Sequence, residues 1–415
     1  MTSLNNIWFT KNTRTLTPEE LFSGNLIAQM SGVKVNAKRK HEEVSEREYL
    51  HGRDSPSMYI QTNTPPKAPK PPKPPKPPKP PKPPKQTKQA TLEATLKVAP
   101  VASTVVIDKK LPLKPEEIKG KAIVDLFCGL GGFSQGAVDA GHTVVLCVDS
   151  WSEVLRAHAA NHPHAVHVQM ELGDENESRL VQLIEKYVPP GVEWHLHGSP
   201  PCQKLSRIRA ISNGINPEMG LELVSWYVRL TERLKPTTWT MEQVSAPELR
   251  GMLQYVQYMR PETFDWQHCW MELYGVPQTR HRALAGSPSI IERLRHDKSL
   301  RADAPLVTDV LVGAHKPPKE AVYLRASIGM TPKNGSTGRQ GDVKPIDTVA
   351  YTCTSRHPHA WLDKNYCHIR ELNPQEQLIL QSFSPDVYLP DKINDAITAI
   401  GNAIPPLFVK KIMRV

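Results

Sequence analysis

Residues 121–149 read KAIVDLFCGLGGFSQGAVDAGHTVVLCVD. KAIVDLF (121–127) is an apolar run with strand character, and Gly129 to Gly132 form a tight turn. FSQGAVDAG (133–141) has helical spacing, TVVLCVD (143–149) reads as a second strand, and SEVLRAHAAN (152–161) as a second helix. Strands alternating with helices predict an α/β domain: a parallel sheet with helices on both faces. The alternation begins near residue 119 and weakens after about 287. Residues 331–344 (TPKNGSTGRQGDVK) are polar and turn-rich. The stretch 287–368 is therefore expected to be an inserted, loop-rich module. The alternating pattern returns near Ile369 and ends in a helix before Ile400-Gly401-Asn402.

Upstream of this block the composition changes. Residues 65–85 repeat the triplet Pro-Pro-Lys. Proline fixes φ and removes donors, so this tract is expected as polyproline II. At ~3.1 Å per residue it would extend roughly 65 Å as a cationic spacer. Residues 65–118 thus form a Pro/Lys-rich linker behind an N-terminal extension, 1–64, expected to be largely disordered. Within that extension Thr17-Pro18-Glu19-Glu20 has a capping-box pattern that would start a helix running through Met30. Lys38-Arg39-Lys40 reads as solvated surface.

The net charge of +10 suggests a polyanionic partner. Eight lysines and no acidic residue lie in 65–88, so the rest of the chain is close to neutral. Nucleic-acid affinity in the globular part must then come from a local patch. The six cysteines show no CxxC pair and no finger-like spacing with histidine, so a reduced intracellular protein with no structural zinc is expected. No signal pattern and no membrane-spanning apolar run is present.

Two further segments carry chemistry. Ser199-Pro200-Pro201-Cys202-Gln203 comes after the strand-like VEWHLH (192–197), and Met241-Glu242-Gln243-Val244 lies at the end of TTWTM (237–241). Parallel strands deliver the segments after them to one sheet edge, where ligands bind. A thiol and a carboxylate can therefore share a pocket there. The glycine turn lets backbone approach a ligand, and Asp149 after the second strand is placed to hold ribose hydroxyls.

Taken in order, these strings resemble the DNA (cytosine-5) methyltransferases. DLFCGLGG (125–132) is similar to the family's cofactor loop, SPPCQ (199–203) to its Pro-Cys-Gln nucleophile motif, and MEQV (241–244) to Glu-Asn-Val. Gln278-Thr279-Arg280-His281-Arg282 is similar to Gln-x-Arg-x-Arg, RELNPQEQLILQSF (370–383) to the segment after the target-recognition region, and GNAIPP (401–406) to Gly-Asn-x-Val-Pro-Pro. The resemblance spans about 119–415.

It implies a Rossmann-like S-adenosylmethionine-dependent fold and methyl transfer to C5 of a flipped-out cytosine in a specific duplex sequence. Cys202 would add to cytosine C6 as a nucleophile. Glu242 would hydrogen-bond N3 and the exocyclic amine. Arg282 would hold O2, and Arg280 would help position Glu242. Asp125, Phe127, Gly129, Leu130, Gly131, Gly132, Asp149, Pro201, Leu223, Asn402 and Ile404 would surround S-adenosylmethionine. Gln203, Ser206, Arg207, Arg209 and Gln278 would contact DNA, with 204–217 as the mobile catalytic loop. The 119–286 segment would be the first part of the catalytic domain, 287–368 the target-recognition domain and 369–415 the return to the catalytic domain. Histidines 296, 315, 357, 359 and 368 of the module are expected on its surface or at base edges, and Trp361 in its packing.

The implied partners are double-stranded DNA and, in a restriction system, a cognate endonuclease. The implied state is a cytoplasmic monomer, nuclear in a eukaryotic host, without membrane association. Three departures from the family pattern stand out. Gln243 replaces asparagine, Asp149 replaces glutamate, and the adenine-contacting acid is ambiguous among Glu171, Asp174 and Glu175. Two other functions compete with this one. One is tRNA cytosine-5 methylation, against which the Cys-Phe-Thr tripeptide of those relatives is absent. The other is a DNA-binding regulator acting through the N-terminal extension.

Overall fold

The structure is a computed structural model that describes residues 105–106, 110–201, 221–326 and 343–414. The expected N-terminal helix, the Pro-Pro-Lys tract and the loop after Cys202 lie outside the described residues. An eight-stranded sheet holds β1 (Val105–Val106), β2 (Ala122–Leu126), β3 (Thr143–Asp149), β4 (Val166–Gln169), β5 (Trp194–Gly198), β6 (Thr238–Val244), β7 (Asp265–Trp270) and β8 (His281–Gly286). Their spatial order is β1-β4-β3-β2-β5-β6-β8-β7. Strands β4, β3, β2, β5 and β6 run parallel, whereas β8 is antiparallel to both of its neighbours. The chain starts this parallel block at its centre, moves outward through β3 and β4, then crosses to β5. That reversal beside β2 makes a topological switch point, the usual ligand crevice of open α/β sheets.

Every residue of β2 is buried, as expected for a central strand covered on both sides. Two adjacent residues of β5 show what covers each face, since neighbours in a strand point to opposite sides. The His197 ring stacks on Phe133 of helix α1 (Gly132–Asp139), with centroids 3.7 Å apart. On the other side, a Cβ at Gly198 would lie 2.3 Å from the ring of Tyr227 in α4 (Glu222–Leu234). Tyr227 Oη then donates to Leu196 O and Thr240 O, tying α4 to β5 and β6. The remaining helices of this layer are α2 (Ser152–Asn161), α3 (Glu177–Tyr187), α5 (Pro247–Met259) and α6 (Pro288–His296). Helix α6 packs on β7 and β8.

The polar stretch beyond it contains a second, four-stranded antiparallel sheet. It consists of β9 (Tyr323–Arg325), β10 (Val343–Pro345), β11 (Ala360–Leu362) and β12 (His368–Glu371), ordered β10-β9-β11-β12. Its strands have only three or four residues, too short to show periodicity in the sequence. Trp361 is fully buried at its centre, packed with Leu324, Leu372 and Leu380 and with residues of α7 (Val307–Val310). The next helix, α8 (Pro374–Leu380), begins with a capping box. Asn373 Oδ1 accepts from Glu376 N at 2.8 Å, and Glu376 Oε2 accepts from Asn373 N at 2.8 Å. Arg370 grips the same Glu376 with two 2.8 Å bonds.

The chain then returns to the large sheet through α9 (Ile393–Asn402) and α10 (Pro406–Met413), and α10 packs on α1. Among the described residues, no helix is long and apolar enough to cross a membrane.

Candidate active site

The C-terminal ends of β2, β3, β5 and β6 lie along one edge. After β2 the chain makes an unusual turn, with Phe127, Gly129 and Gly131 all at positive φ (54°, 51° and 94°). Glycine tolerates this at 129 and 131 without cost; Phe127 does not. Phe127 is held by an edge-on contact with Trp226 of α4, centroids 6.2 Å apart. The turn is fastened to the next strand by Asp149. Its Oδ2 accepts from Gly129 N at 2.9 Å and its Oδ1 from Trp151 N at 2.8 Å. Burial pushes the Asp149 carboxyl above its usual range, partly offset by these backbone bonds.

At Gly132 the C-terminal segment crosses the turn so closely that a Cβ would sit 2.0 Å from Ile404 O. Residues 127–132, Asp149 and Ile404 thus lie together, with Leu130 and Ile404 themselves buried. Asp125, expected to face the ligand, does not. It is 1% exposed and accepts from Ser134 Oγ at 2.7 Å, supporting the turn from below. Asn402 is exposed at the end of α9, and Leu223 in α4 approaches Gly173.

Strand β6 brings the second group. Glu242 is 6% exposed, and Arg282 Nε on the adjacent β8 lies 2.9 Å from its Oε1. The register explains the pairing, because Arg282 faces Val244, two residues along β6. The Nε–H does not aim at Oε1, so that oxygen carries no directed hydrogen bond among the described residues. A buried carboxylate oxygen in this state is a ready acceptor for a ligand donor.

Gln243 points the other way along the same edge. Its Nε2 donates to Pro200 O at 2.7 Å, and its Oε1 accepts from Val244 N at 2.8 Å. The amide therefore braces the Pro200-Pro201 segment to the end of β6. Pro201 is exposed and leads directly into Cys202. Cys202, Gln203, Ser206, Arg207 and Arg209 lie outside the described residues.

Three further expectations need correction. Gln278, expected at DNA, is fully buried. Its Nε2 donates to Leu380 O at 2.8 Å and contacts Gln381 Oε1, and its Oε1 accepts from Cys353 N at 2.9 Å. Arg280, expected to position Glu242, is 1% exposed and donates to Cys353 O, Gly401 O and Ala403 O. Gln278 ties the segment before β8 to Cys353 and to the end of α8, and Arg280 ties it to Cys353 and to the C-terminal segment. A buried polar side chain has to satisfy its donors locally, and carbonyls brought in by distant segments do so here. His359 is likewise no surface residue: it is buried against Tyr351 O, and burial pushes its imidazole down to about 4.

The family model described as C-5 cytosine-specific DNA methylase matches residues 122–287. The chain is 25% identical over 298 residues to the Type II methyltransferase M.HgiDI of Herpetosiphon aurantiacus, covering 68% of this chain and 89% of that protein. It is also 25% identical over 307 residues to the Type II methyltransferase M.HindV of Haemophilus influenzae, covering 68% and 91%. Among solved structures it is similar to the S. pombe Dnmt2 methyltransferase, with 14% identity, 70% and 96% coverage and a TM-score of 0.47. The family match covers the strands and turns that build this edge, and over residues 122–287 the chain is similar to the C-5 cytosine-specific DNA methylases.

Proposed function

We propose that the chain transfers a methyl group from S-adenosylmethionine to C5 of a flipped-out cytosine in duplex DNA, through a covalent adduct of Cys202 with C6. The observation that carries this reading is the buried Glu242–Arg282 pair beside the Pro200-Pro201 segment that runs into Cys202. The Phe127–Gly132 turn and Asp149 fit the methyl donor. Gly129 and Gly131 leave the turn open to close approach, and each Asp149 oxygen keeps a lone pair beyond its bond to the backbone. S-adenosylmethionine supplies the methyl as an electrophilic sulfonium substituent.

The protein residues make cytosine reactive enough to accept it. Attack of the Cys202 thiolate on C6 breaks the aromatic system and moves an electron pair towards C5. Glu242 accepts from the exocyclic amine and, protonated, donates to N3, which stabilises the enamine that this addition forms. Arg282, already paired with Glu242, orients that carboxyl group and donates to O2. After C5 takes the methyl, loss of its proton and expulsion of the Cys202 thiolate restore the ring. Extrusion of the base costs a few kcal/mol, and the loop following Cys202 would compensate by contacting the emptied strand. The four-stranded sheet would serve as the target-recognition module, reading base edges in the major groove.

The test is tritiated methyl transfer to duplex DNA and to tRNA in parallel. DNA is expected to take the label, and label on tRNA alone would overturn the reading. Duplexes with 5-fluorocytosine should trap the adduct, because fluorine cannot leave C5 as a proton does. Cys202→Ala is expected to abolish both the trapped adduct and turnover, by a factor on the order of 10⁴ or more.

A further inference from the structure

Beneath the cofactor turn lies a group of side chains for which methyl transfer has no use. Cys147 on β3 and His167 on β4 are direct cross-strand partners in the parallel register, so they emerge on the same face. Helix α2 covers that face and contributes His158. All three residues are fully buried. One donor atom from each lies within 4.8 Å of the other two.

The hydrogen bonds admit a pair of histidine tautomers suited to a metal. Ser134 Oγ–H donates to Asp125 Oδ2 at 2.7 Å, so its oxygen accepts from His158 Nε2–H at 3.2 Å. His158 Nδ1 is then a lone pair, and it faces His167 Nε2 at 2.9 Å. This is the outer-shell pattern of a metal-ligating histidine. One ring nitrogen points at its fellow ligand, and the other donates through a hydroxyl to a buried carboxylate.

The geometry points to a binding site for one zinc-class divalent ion, ligated by Cys147 Sγ, His158 Nδ1 and His167 Nε2. A thiolate with two imidazoles is a borderline-soft donor set that suits Zn²⁺ and its spectroscopic substitute Co²⁺. At Zn–N distances of about 2.0–2.1 Å, two tetrahedral imidazole nitrogens stand about 3.3 Å apart. The existing 2.9 Å approach needs to open only slightly. Binding releases the Cys147 thiol proton to solvent, and the proton between the imidazoles moves to His167 Nδ1. The fourth position goes to a small oxygen ligand such as water.

The site also bears on the turn above it. A Cβ at Gly131 would lie 3.0 Å from His158 Cδ2 and Nε2 and from His162 Nε2, so these rings form its floor. An ion joining α2 to β3 and β4 would hold that floor rigid.

The experiment needs no catalytic readout, so it can fail independently of the proposed function. Full-length protein is purified without chelator, dialysed, and assayed for zinc by mass spectrometry. It is then exchanged with Co²⁺ and examined for thiolate-to-cobalt charge transfer and tetrahedral d–d bands. One equivalent of metal per chain is expected, with both bands present. Cys147→Ser and His167→Asn should lose the bands, while Cys367→Ser, which alters an exposed thiol elsewhere, keeps them. Wild-type protein without bound metal overturns the proposal. So does metal retained at full stoichiometry, with unchanged spectra, in folded Cys147→Ser. If either ligand variant fails to fold, wild-type stoichiometry together with the thiolate-to-cobalt band still decides the matter.

Discussion

The two sheets of this protein are stabilised in different ways. In the large sheet the central strands are buried on both faces, and each strand contributes several apolar side chains to extended cores. In the small sheet the strands are three or four residues long, and the core depends heavily on one residue, Trp361. The large sheet can therefore hold strained features such as Phe127 at positive φ, because many contacts determine its backbone. The small sheet borrows its order from segments arriving from elsewhere, notably Gln278, Arg280 and the Asn373–Glu376 capping box. Under the proposed function a recognition surface is well placed on such a module, since its strands can change without disturbing the large-sheet edge.

The contrast between the sheets can be tested from its most consequential residues downward. Glu242→Gln should lower methyl transfer by about 10²–10⁴-fold, because the acid–base function is removed. The melting temperature should change little, since β6 is held by neighbours on both sides. A large loss of stability instead would mean that the Glu242–Arg282 pair is structural. Trp361→Ala should cost about 3–5 kcal/mol within the small sheet. Hydrogen exchange should then rise across β9, β11 and β12 while β2 and β3 stay protected; equal loss in both sheets would remove the distinction between them.

Acid should separate the sheets too. Burial holds His162 and His197 down at about 3 in the large-sheet layer and His359 at about 4 in the small module. Each is depressed below its unfolded value of about 6.5, so the unfolded chain binds the proton first. Stability is therefore intact above about pH 6.5. It falls as pH drops towards 4, by up to about 1.4 kcal/mol per pH unit for each histidine. His359→Gln should flatten the acid limb for β9–β12 exchange alone; a change confined to the large sheet would contradict the assignment. The smallest effect is expected at Gln243. Gln243→Asn shortens the reach to Pro200 O and loses a bond worth about 1 kcal/mol, so turnover should fall several-fold. Higher turnover in that variant would mean that the brace misplaces the nucleophile segment.

Much of the large sheet is legible in the chain. β3 and α2 occupy the residues expected, and β2 differs only at its ends, because contiguous apolar runs bounded by glycine are local signals. The capping box at Asn373-Pro374-Gln375-Glu376 is also a local signal, and it marks a helix start that the periodicity did not. The small sheet is not legible, since strands of three residues have no period to read. Gln278 is instructive in a different way. It lies in a string that resembles a functional motif, yet its amide is consumed by Leu380 O, 102 residues away, and by Cys353 N, 75 residues away.

The amino-acid sequence by itself determined the α/β class, the resemblance to a methylase family and the order of the motifs along the chain. These arise from short stretches whose conformation is set by neighbouring residues. Only the tertiary structure decided that Gln243 braces Pro200, that Gln278 and Arg280 are internal ties, and that Cys147, His158 and His167 meet. Those partners lie on different strands and helices. Their contact depends on strand register and on which face a helix covers, and neither is encoded in the spacing of the residues concerned.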